Sequence, residues 1–197
     1  MTYTRNIVSA YLASSPADIA DGVEWYARAH RLAVELDPND VARAAGIIAA
    51  LSPLQSWPTN VVNARKIYAG IFTGLGLKRN VAKAVAIYNG AAPLDVLGGP
   101  KVRAFYATIL DPAISHAVVI DRHAIDIAFG AVQDDIARMA MVNITKARNG
   151  YEILAESYRA AAGIISANNS VISPAELQAI TWTFWRRNNT PNKYGDA

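Results

Sequence analysis

Leu97-Gly98-Gly99-Pro100-Lys101-Val102-Arg103-Ala104-Phe105, followed by Val118-Val119-Ile120-Asp121-Arg122-His123, decides how this chain is read. Together they set a glycine hairpin and basic residues ahead of an acid that ends an apolar run. Leu97-Gly98-Gly99 closes one helix and permits a tight turn, because glycine accepts positive φ without a Cβ clash. Pro100 suits the first position of the next helix, whose unpaired N–H groups favour an anion. Lys101 and Arg103 add positive charge at that same end. On the glycines alone, a plain helical corner with solvated basic residues is the simpler account. Asp121 also has an ordinary role, as N-cap of a helix that begins at Arg122. The two roles are compatible, because an ionised acid at the mouth of a cleft can stabilise a developing sugar cation or orient a water. A phosphate grip with a nearby acid points to chemistry on nucleic acid.

Helical periodicity surrounds these stretches. Ser15-Pro16-Ala17-Asp18 combines a cap, a proline at the first helical position and an acid in the first turn. Apolar residues three and four apart then run through Val23, Trp25, Leu32 and Leu36 until Pro38-Asn39 breaks the helix. Val41 to Leu51 reads as a mostly buried helix. Trp57 to Phe72 reads as another, with Val61, Val62, Ile67 and Ile71 inward and an end at Gly74 and Gly76. Further helices are expected over 80–88, 100–110, 121–130, 133–146, 151–165 and 174–187, with a single turn at 93–97. Ser173-Pro174-Ala175-Glu176 again looks like a cap. Only Val118 to Ile120 is β-branched enough for a strand, and it is too short for a sheet. The polar tail from 188 onward is expected to be loose. The expected class is all-α.

Composition narrows the chemistry. A chain of 197 residues, 52% hydrophobic, can bury a core as one compact body or two small lobes. The formal charge of +3 permits a basic face without requiring one. The absence of cysteine excludes disulfides, thiolate zinc sites, iron–sulfur clusters and cysteine nucleophiles. The three histidines lack metal-ligand spacing, so no metal or other cofactor is expected. The first six residues have no apolar signal core, and no apolar run approaches the roughly 20 residues of a membrane span. The expectation is a cytoplasmic, monomeric protein with no membrane association.

The segment from Leu97 to His123 resembles the helix-hairpin-helix superfamily of DNA glycosylases, as a divergent member. That family's pattern runs L-P-G-V-G-x-K-T-A and then V-D-T-H. Leu97, Gly99, Asp121 and His123 match it, and the interval from Arg103 to Asp121 equals the family's interval between its lysine and aspartate. Leu51-Ser52-Pro53-Leu54-Gln55-Ser56 resembles the family's L-S-x-Q-(T/S) segment. The resemblance covers about 41–130.

It implies a two-lobed all-α fold with a DNA-binding cleft between a central lobe (41–120) and a second lobe (1–40 with 121–197). It further implies a double-stranded DNA partner and a base flipped out of the duplex. Asp121 would be the catalytic acid, promoting loss of the base by stabilising positive charge at C1′ and assisting water. Gly98, Gly99, Lys101, Arg103, Arg122 and His123 would contact DNA. Gln55, Ser56 and Trp57 would form the base pocket or wedge. Lys101 stands where the family has its second hairpin glycine. Arg103 stands where bifunctional members have a Schiff-base lysine; a guanidinium stays protonated, so lyase chemistry is not expected.

Other residues have plainer readings. His30 reads as structural, Trp25, Trp182 and Trp185 as core anchors, and Arg186 with Arg187 as a basic helix end. Lys78, Arg79 and Lys83 read as a solvated face or a phosphate track. The rivals to a glycosylase, or a base-modification enzyme derived from one, are a non-catalytic DNA-binding or inhibitory protein and a partner-binding helical domain.

Overall fold

The computed structural model describes residues 2–113, 116–138, 140, 150–167 and 171–189. Its helices are α1 (Thr2–Leu12), α2 (Pro16–Leu36), α3 (Val41–Leu51), α4 (Trp57–Tyr68) and α5 (Lys78–Tyr88). They continue with α6 (Pro93–Val96), α7 (Pro100–Leu110), α8 (Arg122–Phe129), α9 (Gly150–Ser166) and α10 (Pro174–Asn189). Residues 135–138 are also helical; the rest of the helix expected over 133–146 lies largely outside the described residues, as does the tail beyond 189. No strand occurs among the described residues, and the class is all-α. No helix among them is long and apolar enough to cross a membrane.

The chain divides into two compact units, residues 1–26 with 116–197 and residues 27–115. The sequence-based lobes change over at residues 40 and 120. The first division instead falls inside α2, between Tyr26 and Ala27, where no helix-breaking residue marks it.

In the first unit, α1 packs on α8, α9 and α10. Ile7, Ile127, Leu154, Tyr158, Leu177 and Ile180 are fully buried in its core. The N-terminal start of α2 and that of α10 are reciprocal capping boxes. Ser15 N–H and Oγ donate to Asp18, whose own N–H donates back to Ser15 Oγ. Ser173 N–H donates to Glu176 Oε2 at 2.8 Å, and Glu176 N–H to Ser173 Oγ at 3.1 Å. Both caps were legible. Helix α1 was not anticipated: it has no acid in its first turn and no basic residue in its last, and it is held by tertiary burial of Ile7 and Ala10.

In the second unit, α3 is the central element, packed against α4, α5, α6 and α7. Every residue from Ala44 to Leu51 is buried, as an all-round apolar sequence demands. His30 Nδ1 lies 2.9 Å from Ile109 O, a structural role for that ring. Helix α4 departs from expectation twice. It ends at Tyr68 because Gly70 takes φ +75° one turn early, with Ile71 N–H bonded to Lys66 O. Its inward face carries Asn60, Asn63, Ala64 and Ile67, while Val62 and Ile71 are about half exposed.

Gly22 lies on α2 where it meets α10, and a β-carbon there would fall onto the backbone of Ile180. Backbone cannot swing aside as a side chain does. Gly22→Ala is therefore expected to lower stability by at least about 1–3 kcal/mol, measured as a fall in the urea midpoint.

Candidate functional site

Asp121 follows the buried segment Val118-Val119-Ile120, beside which no strand lies among the described residues. The Tyr151 hydroxyl, on α9, replaces one. It donates to Val118 O at 2.6 Å and accepts from Ile120 N–H at 3.1 Å. Burial pushes this phenol up to about 12, so it keeps its proton and its donor role at neutral pH. The segment ends in the half-buried Asp121, the N-cap of α8.

Both carboxylate oxygens of Asp121 are engaged. Oδ1 accepts from Ala124 N–H at 2.8 Å, and Oδ2 accepts from the Trp182 Nε1–H at 3.1 Å. The Trp182 ring meets the rings of His123 and Trp25 edge-on, at 6.3 Å and 5.9 Å between centroids. The Arg186 guanidinium, one turn further along α10, lies 4.6 Å from the centre of the Trp182 ring. Arg122 Nε donates to His123 Nε2 at 3.3 Å, which puts the imidazole proton on Nδ1. Among the described residues neither Arg122 nor Arg186 is in a salt bridge.

Burial is the main force holding the His123 imidazole below its usual 6.5; Asp121 opposes it, and Arg122 and Arg186 add to it. One turn on, Asp126 is only 1% exposed and is matched by Arg138, which donates to both of its oxygens, and by Gln133 N–H. That carboxylate is consumed in tying residues 133–138 to α8.

The hairpin and the Gln55 loop belong to the second unit. Helix α6 stops at Val96, Leu97 is buried, and Gly99 takes φ +79° as N-cap of α7, a conformation only glycine adopts without strain. Gly98, Gly99 and Lys101 are exposed. A β-carbon on Gly98 would lie 3.4 Å from Lys83 Nζ, so an ammonium from α5 stands beside the turn. Arg103 points back into its own unit: Nε donates to Leu97 O and a terminal nitrogen to Leu94 O, each at 2.9 Å. It braces the hairpin, with three of its five N–H groups left over.

The loop after α3 is pinned by buried amides. Gln55 Nε2 donates to Leu75 O at 2.6 Å, and Asn63 Nδ2 donates to both Gln55 Oε1 and Leu75 O at 3.1 Å. Asn80 donates to Pro53 O and Asn60 to Ile48 O. Gln55 is thus occupied at both ends of its amide. Ser56 caps α4 through Thr59 N–H, and Trp57 is half-buried in that helix's first turn. Leu54 is the residue of this loop that projects: it is 88% exposed and holds φ +64°, the one positive φ outside glycine among the described residues. Nothing in its sequence context signalled that.

The structure therefore gathers Asp121, Arg122 and His123 in one group, and Gly98, Gly99, Lys101 and Arg103 in another. It adds Trp25, Trp182 and Arg186 to the first and Lys83 to the second. Trp185, at 9% exposure, is the core anchor expected of it; Trp25 and Trp182 are not fully buried. Their signal in sequence was faint: Trp182 sits four residues after Gln178 and four before Arg186, in a polar row along α10. Among the described residues no group of three or more His, Cys, Asp or Glu could hold a metal ion.

Residues 1–189 match the family described as "Family of unknown function (DUF7178)". No curated protein and no solved structure matches the chain.

The neutral, partly buried His123 gives stability a defined pH dependence. Its folded pKa lies below its unfolded value, so between the two the unfolded chain binds more protons. This contribution is present above about 6.5 and is lost as pH falls through that value toward the folded one. The urea midpoint is expected to drop between about pH 7 and about pH 5, and to drop less in His123→Gln.

Proposed function

We propose that this chain, which belongs to the DUF7178 family, is a DNA N-glycosylase-like protein acting on a flipped base, or a base-modification enzyme derived from one. The carrying observation is the Asp121 carboxylate, held through both oxygens by neutral donors and flanked by Arg122, Arg186 and a neutral His123.

Cleaving an N-glycosidic bond breaks C1′–N, and the electron pair leaves with the base, which takes up a proton. Positive charge grows at C1′ as this happens. A fixed anion stabilises that charge without reorganising, which is the most effective form of electrostatic catalysis. Water then adds to C1′, and its proton passes to the carboxylate and on to solvent. The free base and an abasic site are the products. The chemistry is monofunctional, because Arg103 offers no neutral amine for a Schiff base.

The second unit has candidate phosphate contacts of its own. The exposed turn at Gly98 and Gly99, the first N–H groups of α7, Lys101 and Lys83 suit a phosphate. Leu54 is the apolar side chain suited to entering the base stack, as wedge residues do. Its left-handed backbone costs about 1–3 kcal/mol, a strain of the kind found at functional positions.

A second reading, DNA binding without chemistry, is favoured by Lys101, which stands where the glycosylase family that the chain resembles has its second hairpin glycine. Duplexes carrying uracil, alkylated, oxidised or hypermodified bases separate the two through abasic-site formation. Asp121→Asn is expected to lower turnover by at least about a hundredfold while leaving duplex affinity and its steep salt dependence intact. Full activity in that variant would remove Asp121 from the reaction; binding with no abasic product on any duplex would favour the second reading. Leu54→Gly relieves the strained backbone, so it should stay folded. It is expected to lose base extrusion, read as a smaller rise in 2-aminopurine fluorescence on binding.

A further inference from the structure

We infer that Trp182 is the positioning residue for Asp121, fixing the plane of its carboxylate; the functional part of this inference rests on Asp121 being the acid of the proposed reaction. The terminal torsion of an aspartate is broad and two-fold, so a single contact leaves the carboxylate free to swivel. The capping bond from Ala124 N–H engages Oδ1 only. The indole N–H on Oδ2 is the second point that defines a plane. An indole nitrogen only donates, so it cannot compete with the carboxylate for a proton or a donor.

The indole is itself held on several sides. Trp25 and His123 meet it edge-on, at interplanar angles of 73° and 82°. Arg186 covers it from the following turn of α10. Trp25 is in turn set by Tyr26, 5.2 Å away between ring centroids, and the Tyr26 hydroxyl donates to Gln178 Oε1 at 2.7 Å. Gln178 lies one turn before Trp182, so the chain of contacts closes on the helix that carries the indole. A tryptophan that only filled space would be buried like Trp185. Trp182 is half-buried, and its one polar atom is spent on Asp121.

Two measurements on the intact protein test this. Trp182→Phe assigns the Trp182 indole N–H resonance. Asp121→Ser keeps a capping oxygen but is too short to reach the indole. In Asp121→Ser, exchange of the Trp182 indole proton should accelerate by about tenfold or more, the scale of a hydrogen bond to a charged acceptor. The Trp57 and Trp185 indole protons should not change. An unaltered Trp182 proton overturns the inference whatever the protein does to DNA. On a duplex that the wild type converts, Trp182→Phe should lower kcat by about ten- to a hundredfold, with KM within about threefold. A variant that loses thermal stability but keeps kcat makes Trp182 a packing residue and also overturns it. Should the wild type convert no duplex, the proposed reaction fails while the exchange measurement still decides whether the indole holds the carboxylate.

Discussion

Where helices are joined with no strand alongside, as among the described residues, buried backbone groups of the connections need other partners, and side chains supply many of them. That constraint accounts for several of the buried polar residues, Asn60, Asn63 and Asn80 among them. An unpaired buried N–H or C=O costs about 1–3 kcal/mol, so each connection recruits a partner. In the second unit the partners are Asn60, Asn63, Asn80 and Gln55, which hold the carbonyls of Ile48, Leu75 and Pro53. Arg103 does the same for Leu94 and Leu97. In the first unit Tyr151 serves both Val118 and Ile120. These bonds do more than prevent a loss. They fix the loops that carry Leu54, Gly99 and Asp121, which are the positions where the chemistry is proposed.

The same constraint explains what was legible in the sequence and what was not. Helix caps act over three or four residues, so Ser15 with Asp18, Ser173 with Glu176, and Asp121 itself could be read locally. The buried run of α3 and the proline and glycines of the hairpin were readable for the same reason. Partners distant in sequence were not. The inward asparagines of α4 answer to carbonyls, and every residue has a carbonyl, so the sequence does not mark which ones need a donor. The apolar period therefore misassigned Val62 and Ile71 to the interior. Trp182 reads as a core residue until its indole is seen on Asp121, 61 positions away. The backbone of Leu54 is likewise a product of the pinned loop and not of leucine's own preference.

Under the proposed reaction, the Asp121 carboxylate poses an electrostatic difficulty, since it would repel the phosphates of an approaching DNA strand. The surroundings of Asp121 resolve this. Arg122 and Arg186 are both exposed, and among the described residues neither is neutralised by an acid. The group as a whole thus carries two cations against one anion, with the imidazole kept uncharged largely by burial. At the distance of a passing phosphate the cations prevail, because screening over a Debye length of about 8 Å leaves mainly the net charge. Within bonding distance of a sugar carbon the fixed carboxylate prevails, because Coulomb energy rises inversely with separation. The nearby Asp126 would upset this balance if its charge were free, but the paired Arg138 cancels it. One site can therefore attract a polyanion and still offer a negative charge to a developing cation, provided the carboxylate does not turn away toward its own arginines. Preventing that turn is the physical task that the two neutral donors, the α8 backbone and the Trp182 indole, perform.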